Sequence, residues 1–281
     1  MKKYFSLIKF SHTIFAMPFA LIGFFLASQQ YSFEWITLLY VVLCMVFARS
    51  AAMAFNRYID RDIDSTNKRT AKVREIPKGS IKATNALFFV IINCVFFIGV
   101  AFFINTICFS LSPIALIIIL GYSYTKRFTA LCHLVLGLGL ALAPIGAYLS
   151  VSGIFDVLPL LFSAAVLFWV SGFDIIYSLQ DEEFDKEQKL HSIPVLLGKK
   201  NALILSKLLH FLTFSALSIA GLLGNFGLYY WIGFLIFSAL LIYQHTLVKK
   251  DDLSKVNLAF FTTNGIASVI FGIFVILDLI K

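Results

Sequence analysis

Windows of about 18 to 25 mostly apolar residues recur along this chain with only short polar breaks between them, and that recurrence decides what it can fold into. In hydrocarbon every backbone N–H and C=O must find a partner within the chain, so windows of this length read as spanning helices. They run at roughly 11–29, 34–56, 85–105, 108–124, 131–150, 157–178, 202–222, 228–247 and 257–279, which makes nine. Only a short Asn-Thr turn divides the third from the fourth, and merging them would make eight. Of 281 residues 60% are hydrophobic and 31 are Phe, and the mean hydropathy is +0.90, more than a soluble core of this size needs. The expected fold is all-α and integral to the membrane: nine transmembrane helices around a central cavity, in a single domain over 1–281.

Loop charge tests the count independently, because basic residues concentrate in loops on the cytoplasmic side. Lys2, Lys3 and Lys9 precede the first window; Lys68, Arg69, Lys72, Arg74, Lys78 and Lys82 fill the loop after the second. Lys126 and Arg127 follow the fourth, Lys186, Lys189, Lys199 and Lys200 the sixth, and Lys249, Lys250 and Lys255 the eighth. The alternate connections, QQYSFE, INTICFS, SVSGIFD and GNFGLYYW, hold no Lys or Arg. The N-terminus is therefore expected inside and the C-terminus outside. The net charge of +8 follows from topology rather than from a nucleic-acid partner. A signal peptide is rejected for the basic, apolar start, since the run from His12 to Gln29 is long enough to span and no small-residue cleavage site follows.

Against this background two acidic sets stand out: Asn56, Asp60 and Asp64, then Asp174, Asp181 and Asp185, each at the end of an apolar window. Steps of four, and of seven then four, keep each set on one helix face. Ionisable groups at the edge of hydrocarbon are costly and mark a site by default. The two sets are related, since Asn56, Asp60 and Asp64 match Tyr177, Asp181 and Asp185 at a constant offset. Each is followed by an Ile-Pro and a Gly: Ile76, Pro77, Gly79 and Ile193, Pro194, Gly198. This reads as a weak internal repeat, two helical halves each presenting an acidic end to a shared cavity.

Converging carboxylates repel one another unless cations bind among them. All the ligands are oxygens, with no His or Cys, which selects Mg²⁺ over zinc or copper; Mg²⁺ is commonly held by a few carboxylates plus substrate phosphates. With two such ions and a diphosphate of about −3, five aspartates leave the site near −4, so basic neighbours are expected: Lys126, Arg69, Arg74, Arg57 and Lys9. A diphosphate head with a long apolar tail describes a polyprenyl diphosphate, whose tail a bundle open sideways to lipid would admit.

Other polar residues get blander assignments. Asp62, Glu182 and Glu183 are out of phase with the stripes and go to solvent. His12, His133 and His210, in apolar runs, are expected to be packed or interfacial; His191, after the second acidic loop, is a weak candidate for approaching substrate. Cys44, Cys94, Cys108 and Cys132 have no metal-ligand spacing and read as small buried hydrophobes. The Phe-rich faces of the third and eighth windows read as lipid contact.

The stretches NRYIDRDID (56–64), YSYTK (122–126) and DIIYSLQDEEFD (174–185), with the opening HTIFAMPFA (12–20), resemble the UbiA family of intramembrane aromatic prenyltransferases over nearly the whole chain. The resemblance implies that Asn56, Asp60 and Asp64 hold one Mg²⁺ and Asp181 and Asp185 the other, with Asp174 either supporting the second ion or orienting the acceptor. It makes Asp60, Asp64, Asp174, Asp181 and Asp185 the catalytic set. It assigns Lys126, Tyr122, Arg69 and Arg74 to the diphosphate. It implies transfer of a prenyl chain to a ring carbon of an aromatic acceptor in quinone synthesis, at the cytoplasmic face of the cell inner membrane. One departure bears on the acceptor: where many members read Arg-Thr-x-x-Arg-Pro, this chain reads Arg69-Thr-Ala-Lys-Val-Arg74-Glu-Ile-Pro77. That is more similar to the 4-hydroxybenzoate prenyltransferase-like branch that includes presumed menaquinone enzymes of the futalosine route. 4-Hydroxybenzoate is the leading acceptor, its carboxylate wanting a cation such as Arg57 or Arg127; a menaquinone precursor, haem or a lipid glycerol are rivals. An ion- or proton-coupled transporter is disfavoured, because transporter acids lie near the midplane on broken helices and these lie at helix ends beside basic loops.

Overall fold

The computed structural model describes residues 2–8 and 15–281. Helices α1 (Lys2–Leu7), α2 (Met17–Ser28), α3 (Trp35–Ile59), α4 (Arg61–Thr66), α5 (Ala83–Ile104) and α6 (Thr106–Thr125) make the first half. Then follow α7 (Cys132–Ser152), α8 (Val157–Ser178), α9 (Glu182–Glu187), α10 (Ile193–Leu223), α11 (Leu228–Leu247) and α12 (Asn264–Leu279). Among the described residues there is no strand beyond one isolated bridge between Lys249 and Asp252.

Among the described residues eight helices are long and apolar enough to cross a membrane, the fifth of them running from α8 through α9. The expected first span differs. Its described part is α2, twelve residues and too short to span alone; His12 and Lys9 lie outside the described residues. α2 is held deep in the bundle. Pro18 at its first turn packs on Gly272 of α12, and its Gly23 approaches the backbone of Pro144 in α7 so closely that an added Cβ would lie 2.0 Å from the Pro144 carbonyl oxygen.

The Asn-Thr turn is a true break between two spans. Asn105 leaves helical geometry, accepts from the Cys108 N–H at 2.8 Å as the N-cap of α6, and donates its own amide to the Leu149 carbonyl of α7 at 2.8 Å. α5 and α6 are thereby tied as a hairpin to a third helix.

α8 lies at the centre, packed between α7 and α10. Its Trp169 is fully buried among Phe19, Phe173 and Phe237, and the indole N–H donates to Asn264 at 2.9 Å. Asn264 in turn donates to the carbonyls of Ala259 and Phe260, in the six-residue π-helical turn Leu258–Thr263 that leads into α12. These two buried polar side chains are thus paired with one another and with backbone carbonyls, as the absence of water demands.

α7 and α8 come closest at Gly137, where an added Cβ would sit 2.4 Å from both the Leu167 carbonyl oxygen and the Ser171 hydroxyl. Gly139, on the same helix, has only ordinary contact with Ile119 at 3.9 Å. Gly137→Ala is therefore expected to destabilise the bundle by about 1–3 kcal/mol through overpacking. Gly139→Ala should be neutral or slightly stabilising, since Ala outranks Gly in a helix. Thermal unfolding in detergent checks both, and equal melting temperatures for the two variants would contradict the packing described.

Candidate functional site

Both acidic sets straddle the end of a long helix. α3 closes at Ile59, Asp60 takes φ −87° and ψ 4°, and α4 follows; α8 closes at Ser178, a 3₁₀ turn runs from Leu179 to Asp181, Asp181 takes φ −104° and ψ 1°, and α9 follows. The two Asp residues occupy the same sparsely populated bridge conformation. Neither set lies on one unbroken helix, as the spacing alone suggests. The fourfold step still survives in the first, because Asp60 N–H reaches Asn56 O at 2.9 Å and Asp64 N–H reaches Asp60 O at 2.7 Å. The glycines after the two motifs, Gly79 and Gly198, also agree, with φ of 76° and 73°, so the repeat extends to backbone conformation.

The sets meet across a polar cavity of about 200 Å³ lined by Asn56, Asp60, Arg74, Tyr122, Lys126, Asp174, Asp181 and Asp185, together with His133, Tyr177, Ser178 and Ser192. Two expected residues stand just behind this lining. Asp64 is only 3% exposed and its carboxylate is held by Arg74. Arg69 lies against Asp181, Nε to Oδ1 at 3.1 Å, and donates to the Tyr177 hydroxyl at 3.0 Å. Burial alone would lower the Arg69 pKa, but Asp181 and Tyr177 outweigh it and hold the guanidinium above its ordinary value. Asp60, 2% exposed, accepts from Asn56 at 2.9 Å and from Arg127 at 3.1 Å, with the Lys126 ammonium at 3.5 Å. Among the described residues no three His, Cys, Asp or Glu side chains already converge as a metal cage.

Several residues have roles different from those expected. Arg127 also donates to the carbonyls of Ile59 and Ser123, which makes it a clamp between α6 and the end of α3 rather than a cation free for an acceptor. Arg57 is buried and bonds Asn56 at 3.3 Å, outside the cavity lining. The exposed His191 contributes its backbone N–H to the Lys126 carbonyl at 2.7 Å, bracing the turn that presents Lys126. His210 is a packed histidine, bonded to His245 at 2.8 Å. His133 is not mere packing: its Nδ1 lies 2.7 Å from Asp174 Oδ2 and its ring lines the cavity.

A second cavity, apolar and about 350 Å³, continues inward between α3, α5, α6 and α7, among Met45, Phe97, Leu111, Ile118 and Leu140. It shares Tyr122 and Leu136 with the polar one, so the two adjoin there. One charged residue lines it, Arg49, whose Nε is buried with no hydrogen-bond partner. The sequence reading passed over Arg49, although an arginine within an apolar window is itself a signal, here seven residues before Asn56 on the same helix face.

An acid- and base-lined chamber opening onto an apolar one, inside a bundle of spanning helices, is the arrangement of a membrane-embedded enzyme. Comparison with known proteins identifies the kind. The model of the UbiA prenyltransferase family matches residues 16–266. A 4-hydroxybenzoate octaprenyltransferase of Aliivibrio fischeri is 32% identical over 247 residues, covering 85% of this chain and 83% of that protein, and one of Francisella tularensis is 32% identical over 241 residues, covering 84% and 81%. Among solved structures, a UbiA homolog from Aeropyrum pernix K1 superposes with a TM-score of 0.86 at 32% identity, covering 95% of this chain and 98% of that one. One from Archaeoglobus fulgidus, bound to DMAPP and Mg²⁺, shares the fold with a TM-score of 0.76 at 21% identity over 99% of each chain. The chain belongs to the UbiA prenyltransferase family, and it is a multi-span membrane enzyme.

Breaking one buried pair tests the site's electrostatics. Arg74→Leu strands the Asp64 carboxylate and is expected to cost about 3–5 kcal/mol. Adding Asp64→Asn in the same chain should restore most of it, since the uncompensated charge is then gone. Melting temperatures of the two single variants and the double variant form the cycle, and strict additivity would contradict the pairing.

Proposed function

We propose that the chain transfers a polyprenyl group from a polyprenyl diphosphate to a ring carbon of an aromatic acceptor, 4-hydroxybenzoate, releasing pyrophosphate, as a step in quinone synthesis. Its site faces the cytoplasm at the cell inner membrane, within a single domain of nine crossings whose N-terminus is inside, as the loop charges argue. The observation that carries the chemistry is the pair of adjoining cavities: the polar one suits a diphosphate and the apolar one the start of a prenyl tail.

The donor set fits Mg²⁺. Asn56, Asp60, Asp64, Asp181 and Asp185 offer oxygen only, from two facing helix ends, and they form no closed cage among themselves. That suits an ion which takes part of its shell from substrate phosphates. When bound, it supplies charge that stabilises the departing pyrophosphate. Lys126 and Arg74 line this cavity and Arg69 stands just behind it; paired with these acids here, they can turn to phosphate oxygens as the acids turn to metal. Tyr122, at the junction of the cavities, borders the carbon where head meets tail. The surrounding apolar side chains exclude water, so that the allylic cation reaches the acceptor before it is hydrolysed.

Arg49 supports an acidic acceptor. Its guanidinium, unpaired at Nε in the apolar cavity, is placed for a carboxylate and would compensate a charge otherwise costly there.

Purified protein given labelled polyprenyl diphosphate and a panel of acceptors, 4-hydroxybenzoate and menaquinone precursors among them, is expected to prenylate 4-hydroxybenzoate. Product on a menaquinone precursor alone would reassign the acceptor. Asp60→Ala and Asp181→Ala should each abolish turnover in folded protein, and EDTA should stop it until Mg²⁺ is restored. Arg49→Leu should raise KM for 4-hydroxybenzoate about 10- to 100-fold, the range for losing a charge-assisted bond, and leave KM for the diphosphate unchanged.

A further inference from the structure

Prenylation of a ring carbon leaves a proton to remove, and none of the groups discussed so far receives it. Three of the site acids are poor candidates as they stand. Asp60 is paired with Arg127 and Lys126, Asp64 with Arg74, and Asp181 with Arg69. Each of these carboxylates is already engaged by the cation beside it. Asp174 is different, because its neighbour is an imidazole.

Two hydrogen bonds orient that imidazole. His133 Nε2 accepts the Ile193 backbone N–H at 3.3 Å, so the ring proton is on Nδ1, which donates to Asp174 Oδ2 at 2.7 Å. A second proton on Nε2 would face the Ile193 N–H. Asp174 Oδ2 is taken up by this bond, and Oδ1 is left for another partner.

Position completes the case. Asp174 lines the polar cavity and its side chain is 22% exposed, more open than the buried Asp60 and Asp64. His133 lies one turn before Leu136, which with Tyr122 borders both cavities. That junction is where the carbon joining diphosphate to tail must sit, and an attacking ring must lie beside it. The pair is also rigidly built: Ser171, three residues before Asp174, donates to the His133 carbonyl at 3.1 Å, and Gly137 lets α7 approach α8 closely one turn further in.

We infer that Asp174 is the base that takes the ring proton, with His133 as the residue that positions it. This rests on the prenyl-transfer reading above. The ring carbon forms a bond to the allylic carbon as that carbon's bond to the diphosphate oxygen breaks, its electron pair leaving with pyrophosphate. The C–H bond at the attacked carbon then breaks, its electrons restoring the aromatic ring and its proton passing to Asp174 Oδ1. From there the proton leaves by the polar cavity, so each turnover yields prenylated acid, pyrophosphate and one proton. His133 keeps its own Nδ1 proton throughout.

The test is an isotope effect, which a merely structural role would not move. In the wild-type enzyme, ring-deuterated 4-hydroxybenzoate should turn over at nearly the rate of the protiated compound, proton removal being fast. In Asp174→Asn, kcat should fall at least 100-fold and the deuterium effect on kcat should rise above 2, while KM for prenyl diphosphate and the Mg²⁺ requirement stay unchanged. His133→Ala should show a smaller fall with a measurable isotope effect. His133→Gln, which retains an N–H donor, should recover most of the rate. Asp174→Ala supplies a second route, since formate added to it should restore turnover in a concentration-dependent way.

A raised Mg²⁺ requirement in Asp174→Asn with no isotope effect would overturn the inference and make Asp174 a metal ligand. Absence of formate rescue together with a flat isotope effect would do the same. If the wild-type enzyme prenylates no aromatic acid at all, the functional reading fails and not this pair.

Discussion

Charge compensation inside a low-dielectric bundle is the constraint on which the rest of the structure depends. Asp60, Asp64 and Asp181 stand at helix ends next to hydrocarbon, where an unpaired carboxylate would protonate or unfold its surroundings. Each is matched by a basic side chain from a neighbouring segment. Arg74 returns from the loop after α4, Lys126 and Arg127 come from the end of α6, and Arg69 crosses to α8's end to meet Asp181. That last pair joins the two halves of the repeat. In the proposed reaction, loading a metal-bound diphosphate onto this paired state would be an exchange of partners rather than capture by bare charge. The net affinity would then be a difference between two well-compensated states, which would keep pyrophosphate releasable.

The same economy organises the neutral polar groups. Asn105 joins three helices through one side chain, and Asn264 links the central tryptophan to the carbonyls of a π-helical turn. Small residues set the distances at which such contacts can form. Gly23 and Gly137 bring α2 and α8 against α7, which fits the general use of small residues where membrane helices cross closely.

Much of this was legible in the sequence because it depends on periodicity and composition. The apolar windows became helices, the short Asn-Thr turn became a capped hairpin, and the two acidic sets, Asp64 excepted, came with Tyr122, Lys126 and Arg74 to line one cavity. Their repeat extends further than residue types show, to matched backbone breaks at Asp60 and Asp181 and matched left-handed glycines at Gly79 and Gly198. What escaped depends on which helices touch. Nothing in the spacing of His133 and Asp174, 41 residues apart, announces a hydrogen bond; it exists because Gly137 sets the separation of α7 and α8. Arg127 reads as a loop cation until α6 is seen packed against the end of α3. Arg49 was the recoverable omission, since it needed no packing information, only the rule that an arginine within an apolar window requires an explanation.

The π-helical turn before α12 has a consequence of its own. A π turn holds one residue more than the α-helical turn it replaces, so it acts as a frame insertion whose effect is passed to everything downstream. The turn itself puts Phe260 against Tyr177, which lines the polar cavity, ring centroids 4.1 Å apart. After it the register has shifted by about 100°, one residue's worth of helical turn. Asn264 then faces Trp169, and Gly272 faces Pro18. Loss of a single residue between 258 and 263 would leave the hydropathy of the span almost unchanged while rotating α12 away from α2. In this segment length sets the packing of everything after it, and a deletion there would be harsher than most substitutions.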